Sequence, residues 1–178
     1  MVNFPVYTHK PMIVINTGSE ESLGKIYSLT GASPFAGAWP LANLALFIPF
    51  SLGEPITALR MYLYNGNIVN GNVDIGIYSE DGTKLVSSGS TVHAGLNNLQ
   101  EFNITDTIIG PGIFYMALSF SGNVATVSRF NLVTMLSSVV GMAQMENAFP
   151  LPANAVFATC AYGFIPIMGI CVGGPGFI

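Results

Sequence analysis

The stretch GNVDIGIYSEDGTKL, Gly71 to Leu85, decides how this chain is read. Val73, Ile75 and Ile77 alternate with Asp74, Gly76 and Tyr78, the period-two pattern of a strand that turns one face to a core. Asp81-Gly82 follows, and Asp-Gly between alternating apolar runs is the strongest short-range hairpin signal. The register depends on the loop. A two-residue Asp81-Gly82 turn pairs Ile77 with Val86 and puts Lys84 on the core face. A three-residue loop, Glu80-Asp81-Gly82 with Gly82 left-handed, pairs Ile77 with Leu85 and sends Lys84 outward beside Tyr78. Only the second buries no lysine, so it is the expected one.

The carboxylates in this stretch raise a chemical question. Paired carboxylates perform acid–base work when burial or mutual repulsion separates their pKa values. A solvated turn at Glu80 and Asp81 provides neither, so the hairpin reads as scaffold. Asn65, Asn67, Asn70, Asn72 and Asp74 offer hard oxygen donors in NGNIVNGNVD, but a tight Ca²⁺ site needs several carboxylates and this run has one. Asn and Gly also favour turns in their own right. No metal and no cofactor is expected.

Working outward, turn signals recur at short intervals with alternating runs between them, the pattern of an all-β sandwich. Leu44, Leu46, Ile48 and Phe50 alternate in NLALFIPF, where Pro49 predicts an edge or a bulge. Leu59, Met61 and Leu63 mark one face of ITALRMYLY, with Arg60, Tyr62 and Tyr64 on the other. Phe114, Met116, Leu118 and Phe120 alternate in GIFYMALSF. Shorter strands are expected near residues 12, 25, 84, 99 and 124. Leu132, Met135, Leu136, Val139 and Ala143 fall at helical spacing and predict a helix over 131–145. The expected fold is a jelly-roll-like antiparallel β-sandwich over 31–172, with one short helix. An N-terminal arm with first strands (1–30) precedes it, and a tail (173–178) follows.

The composition is unusual in its charge. Only 8% of the residues are charged, five Lys or Arg and nine Asp or Glu, against about 25% in an ordinary soluble domain. Such a chain is expected to bury much of its surface against partners. The net charge of −4 gives no basis for nucleic-acid binding, and the 51% apolar content argues against disorder. No secretion signal is read in MVNFPVYTHKPM. Residues 155–172 are uncharged, but Gly163, Pro166 and Gly169 interrupt them, so a buried strand is expected in place of a membrane span.

The chain lacks the G-x-S-x-G, P-loop, G-x-G-x-x-G and H-E-x-x-H signatures, and His9 and His93 are isolated, so no enzyme is expected. Cys160 and Cys171 have no partner at zinc spacing and read as buried free thiols. Asn103-Ile104-Thr105 matches a glycosylation sequon, which has little meaning without a secretion signal. Binding is the remaining class. Tyr62, Tyr64 and Tyr78 projecting from neighbouring strands, with Arg60 and Asp74, would form an aromatic patch able to stack a sugar or fill an interface. Trp39, in AGAWPLANL, would anchor an interface or cap the sandwich.

Four runs together carry a family resemblance: GASPFAGAWPLANLALFIPF, NGNVDIGIYSEDGTKLVSSGST, IGPGIFYMALSF, and FPLPANAVF leading to YGFIPIMGI. Over roughly Gly31 to Ile170 the chain resembles β-sandwich modules of tailed-bacteriophage virion proteins, of head-decoration and fibre type. The resemblance implies a sandwich, a homo-oligomer (trimer or dimer), and assembly in the host cytoplasm into a virion. Its implied partners are the major capsid protein or other virion proteins, with neither nucleic acid nor membrane. It implies no catalytic residues. Two functions follow as expectations: a capsid decoration (cement) protein, or a carbohydrate- or receptor-binding module of a fibre using the tyrosine face.

Overall fold

A computed structural model describes residues 35–132 and 134–173. The chain forms β1 (Phe35–Ala38), β2 (Ala45–Leu52), β3 (Ile56–Tyr64), β4 (Asn72–Ser79), β5 (Lys84–Ser87), β6 (Thr91–Val92) and β7 (Leu99–Ile109). After these come β8 (Gly112–Phe120), β9 (Thr126–Asn131), α1 (Thr134–Val139), β10 (Ala143–Met145), β11 (Ala158–Thr159), β12 (Phe164–Pro166) and β13 (Met168–Gly173). The strands expected near residues 12 and 25, the N-terminal arm and all but the first residue of the tail lie outside the described residues.

Every pairing among the described residues is antiparallel. A seven-stranded sheet runs β11-β10-β2-β8-β4-β5, with β6 also on β4. Two three-stranded sheets, β13-β3-β7 and β1-β9-β12, oppose it. Only Ile167 separates β12 from β13, and a bridge from Asn65 to Val127 joins the two small sheets again. All three contribute to one core, including Leu46, Ile48, Met61, Leu63, Ile75, Ile77, Met116, Leu118, Val127 and Ile170. Over the described residues the molecule is therefore an all-β antiparallel sandwich with one short helix.

The structure corrects several details of the sequence reading. The helix covers only Thr134–Val139 of the expected 131–145. Gly141, at φ +77°, turns the chain, and Ala143 joins a strand opposite Phe47 on β2. With one turn and a half of helix and no charged residue at either end, tertiary packing outweighs helical spacing. In β3 the core row is Ala58, Met61 and Leu63 in place of Leu59, Met61 and Leu63. Arg60 pairs with Cys171 while Ala58 pairs with Val172, so a bulge at Leu59 swaps the face. At Pro49 only β8 pairs with β2, because β10 reaches no further than Phe47. The missing N–H is tolerated at this local edge.

The hairpin register is a compound of the two alternatives. The loop is the three-residue one: Ser79 N–H bonds Thr83 O (2.9 Å), and Gly82 is left-handed at φ +88°. Tyr78 accordingly faces Lys84. A bulge at Leu85 then shifts the pairing, so Ile77 faces Val86 and not Leu85. Val86 enters the core and Leu85 is left exposed, which satisfies the apolar pattern without burying the lysine in it. The uncharged run 155–172 forms β11, β12 and most of β13, and among the described residues no helix is long and apolar enough to cross a membrane.

Candidate functional site

The outer face of the β4–β5 hairpin, where Asp74, Tyr78 and Lys84 project, is covered by the chain itself. Residues 148–157 cross it as a strap between β10 and β11. Asp74 Oδ2 accepts the Leu151 N–H (2.9 Å), Lys84 Nζ donates to Leu151 O (2.7 Å), and the Tyr78 hydroxyl donates to Pro152 O (2.5 Å). The backbone continues the attachment, Lys84 N–H to Ala153 O (2.8 Å) and Ala155 N–H to Gly82 O (2.7 Å). A strap whose ladder contact is one isolated bridge, Asn154 to Thr83, thereby satisfies polar groups on side chains and on the hairpin backbone.

Beneath the strap lies a second apolar cluster: Ala45, Phe47, Tyr78, Tyr115, Ala117 and Leu151 are among its members. Phe157 packs on Phe47 and Tyr115 at ring distances of 5.0 and 4.5 Å. Gly76 is needed where it stands, since a Cβ there would meet Ser87 Cβ and Val86 O at 2.8 Å, with Leu151 just beyond. Gly82 is needed twice over, for its positive φ and because the Ala155 carbonyl lies against it.

Electrostatics follow burial. Asp74 is fully buried, and desolvation raises its carboxyl above the usual range. The Leu151 N–H, Lys84 and the hydroxyls of Ser87 and Ser88 oppose that rise. Burial, and then the charge of Asp74, pushes the Tyr78 phenol up, so it remains a hydrogen-bond donor. Asp81 in the exposed turn shifts the other way, because the Ser79 hydroxyl (2.5 Å) and Thr83 N–H (3.1 Å) bond its carboxylate.

The tyrosine patch expected from sequence is not assembled. Arg60, Tyr62 and Tyr64 belong to β3 in a three-stranded sheet, whereas Asp74 and Tyr78 belong to β4 in the seven-stranded sheet. Two faces in different layers do not make one surface. Tyr62 is buried with its ring against Gly169, and burial pushes its phenol up to about 12. Tyr64 is exposed, and Arg60 pairs with Glu101 at 2.9 Å on the surface. Trp39 is buried, donates Nε1–H to Leu44 O (3.1 Å), and packs against Phe120 and Phe164. It closes the end of the core and is not free for a partner.

Sequence reading missed a polar knot at the end of the sandwich where β3 and β8 finish. Asn65 is fully buried, and its side-chain amide donates toward Ala94 O (2.5 Å), Gly95 O (3.0 Å) and Gln100 Oε1 (3.1 Å). His93 Nδ1 accepts from the Asn70 N–H (3.4 Å), so Nε2 carries the proton and donates to Asn65 Oδ1 (2.9 Å). Burial pushes the imidazole pKa down to about 4. Its ring stands edge-on to Phe120 at 5.0 Å, joining the knot to the core. The Asn run thus spends its side chains on loop geometry: Asn67 accepts from Thr126 and Asn72 donates to Ser90. No group of three or more His, Cys, Asp or Glu able to hold a metal occurs among the described residues.

Two other groups stand out. Arg129 lies flat over Gly37, with its guanidinium 4.1 Å from the Phe164 ring centre, and donates to Ala38 O (3.0 Å). Burial lowers its pKa. Cys160 and Cys171 are both free thiols; Cys160 is buried as expected whereas Cys171 is only half-buried, and burial raises both. These arrangements orient and lock backbone segments, and none brings a nucleophile to a base. No protein-family model, curated protein or solved structure matches this chain.

Proposed function

We propose that this chain is a structural protein of a tailed-phage virion, a capsid decoration protein that stabilises the shell by burying surface at subunit junctions. The observation that carries the proposal is the charge deficit, 8% of residues, on a β-sandwich whose exposed side chains include Leu41, Val92, Leu96, Ile108 and Val156. A standard protein interface buries about 1,600 Å² in total, and its centre is depleted in charge. The strap supports the same reading, because the polar side chains of the hairpin are engaged in internal attachment. The fibre-type reading through a tyrosine face has less support, since Tyr62 and Tyr78 are buried in separate layers.

The test is co-sedimentation of the purified chain with expanded phage capsids that lack their decoration protein. Saturable binding with a rise in the capsid's thermal transition is the expected result. A chain that leaves both the pellet and the transition unchanged would contradict the proposal.

A further inference from the structure

The two ends of the sandwich differ in charge. At one end lie four loops, the third of which contains the two-residue β6: 39–44, 65–71, 88–98 and 121–125. They contain no Asp, Glu, Lys or Arg, and their one titratable side chain, His93, is buried and neutral in the polar knot. They do expose aliphatic side chains: Leu41 (38%), Ile68 (44%), Val92 (66%), Leu96 (58%) and Val124 (54%). At the opposite end, the β2–β3 and β4–β5 turns and the end of β7 bring Glu54, Glu80, Asp81 and Asp106. Aliphatic side chains are exposed there too, Ile108 at 76% among them, but in the company of carboxylates.

The uncharged loops are stitched to one another. Trp39 N–H bonds Ala125 O, Gly66 N–H bonds Thr126 O, Asn97 N–H bonds Gly66 O and His93 N–H bonds Gly71 O, at 2.8 to 3.1 Å. Ser121 N–H bonds Asn72 O (2.9 Å), and the Asn65 amide ties the 88–98 loop from beneath. Association through this surface would order little that is not already ordered, which removes a major cost of binding.

We infer that this loop end is a self-association surface, on which a second copy of the chain docks end to end about a two-fold axis. A two-fold contact sets each patch against itself, so any charge in the patch would face its like. Among the described residues, the charge beside these loops is that of Glu146 at their edge, whereas the other end would oppose several carboxylates to carboxylates. The size is sufficient, since 23 of the 29 residues in these loops are at least partly exposed and a stable interface uses about 20–30 on each side. Glu146 stands at the rim, where the Ala148 N–H bonds Asn43 O (2.7 Å), and a polar rim around an apolar centre is the ordinary anatomy of such contacts. The inference does not depend on the shell proposal: loss of capsid binding leaves it standing, and a monomeric chain that binds capsids removes it alone.

Sedimentation velocity of the full chain over a wide concentration range, at low and high salt, tests it. The expected result is a dimer whose affinity depends only weakly on salt, because among the described residues the charge near the contact, Glu146, lies at its solvated rim. Leu96→Asp and, independently, Val124→Asp each raise the dissociation constant by about tenfold or more, since each buries an unpaired charge twice. Both positions are exposed in the single chain, so near-UV circular dichroism stays unchanged. Ile108→Asp, the control at the acidic end, leaves the dimer intact. A wild-type chain that is monomeric throughout overturns the inference, including one that instead pellets with phosphatidylcholine vesicles. So does a dimer that withstands both Asp substitutions, or one that Ile108→Asp disrupts equally.

Discussion

The two faces of the seven-stranded sheet are buried by different means. The inner face meets a second layer of strands, and its contacts are aliphatic and aromatic side chains in register: Leu46, Ile48, Ile75, Ile77, Met116 and Leu118. The outer face meets a largely irregular strap, held by a carboxylate, a phenol and an ammonium on its backbone, by a short backbone bridge at Thr83 and Asn154, and by an apolar cluster beneath. Periodic structure satisfies its own backbone and asks only for apolar neighbours. An irregular segment needs partners for its peptide groups, and the hairpin supplies those from Leu151 to Ala153 and at Ala155. For this reason Asp74, Tyr78 and Lys84 are polar although the face they line is closed.

Several experiments can break or sharpen this contrast. The largest effect belongs to the inner face: Ile75→Ala is expected to cost about 3–4 kcal/mol, from lost burial and the cavity left behind. Leu151→Ala should follow at about 2–3 kcal/mol, because the strap is packed as a core element. Chemical denaturation measures both, and a cost under about 1 kcal/mol for Leu151→Ala would reduce the strap to a surface loop. The pH dependence distinguishes the faces by sign. His93, packed on the inner core at Phe120, has a folded pKa of about 4, below its ordinary value of about 6.5. Its contribution is complete above the ordinary value and is lost as pH falls from there toward about 4. The loss is at most about 3 kcal/mol, and His93→Gln should flatten this part of the stability–pH curve.

Asp74 on the outer face acts in the opposite direction. Its folded pKa is raised, so the stability it contributes is present at low pH and declines as pH rises through the folded value. Tyr78→Phe should cost about 1–2 kcal/mol, because Pro152 O loses its donor in a closed site. Asp74→Asn is the smallest effect, neutral or stabilising by up to about 1 kcal/mol at neutral pH. Asn keeps an oxygen for the Leu151 N–H and removes a charge that burial disfavours.

The contrast also explains what could be read in the sequence. The sandwich and most of its strands were legible because alternation in β4 and β8 reports directly on a layered core. The hairpin loop was legible because Gly82 allows one backbone conformation that other residues resist. The bulges at Leu59 and Leu85 were not, since each depends on which residue the opposing layer can accept. The closed outer face left a trace that alternation obscured. In β2 and β8 the intervening residues include Phe47, Tyr115 and Ala117, so the strands are apolar on both sides, the mark of a sheet covered twice. Nothing local in FPLPANAVF says that it lies over Asp74, because that contact joins residues 77 positions apart. The Asn65–His93 knot is likewise a long-range arrangement of residue types that turns favour anyway.

The central claim is that the strap is part of the folded sandwich and that the hairpin's polar side chains are occupied in holding it. Native-state hydrogen exchange at the Leu151 amide, which donates to the buried Asp74 carboxylate, tests this most directly. The account predicts exchange as slow as that of the amides of β8, the strand held between β2 and β4, with both governed by global unfolding. Exchange of Leu151 at the rate of an exposed loop, while the β8 amides stay protected, would contradict it.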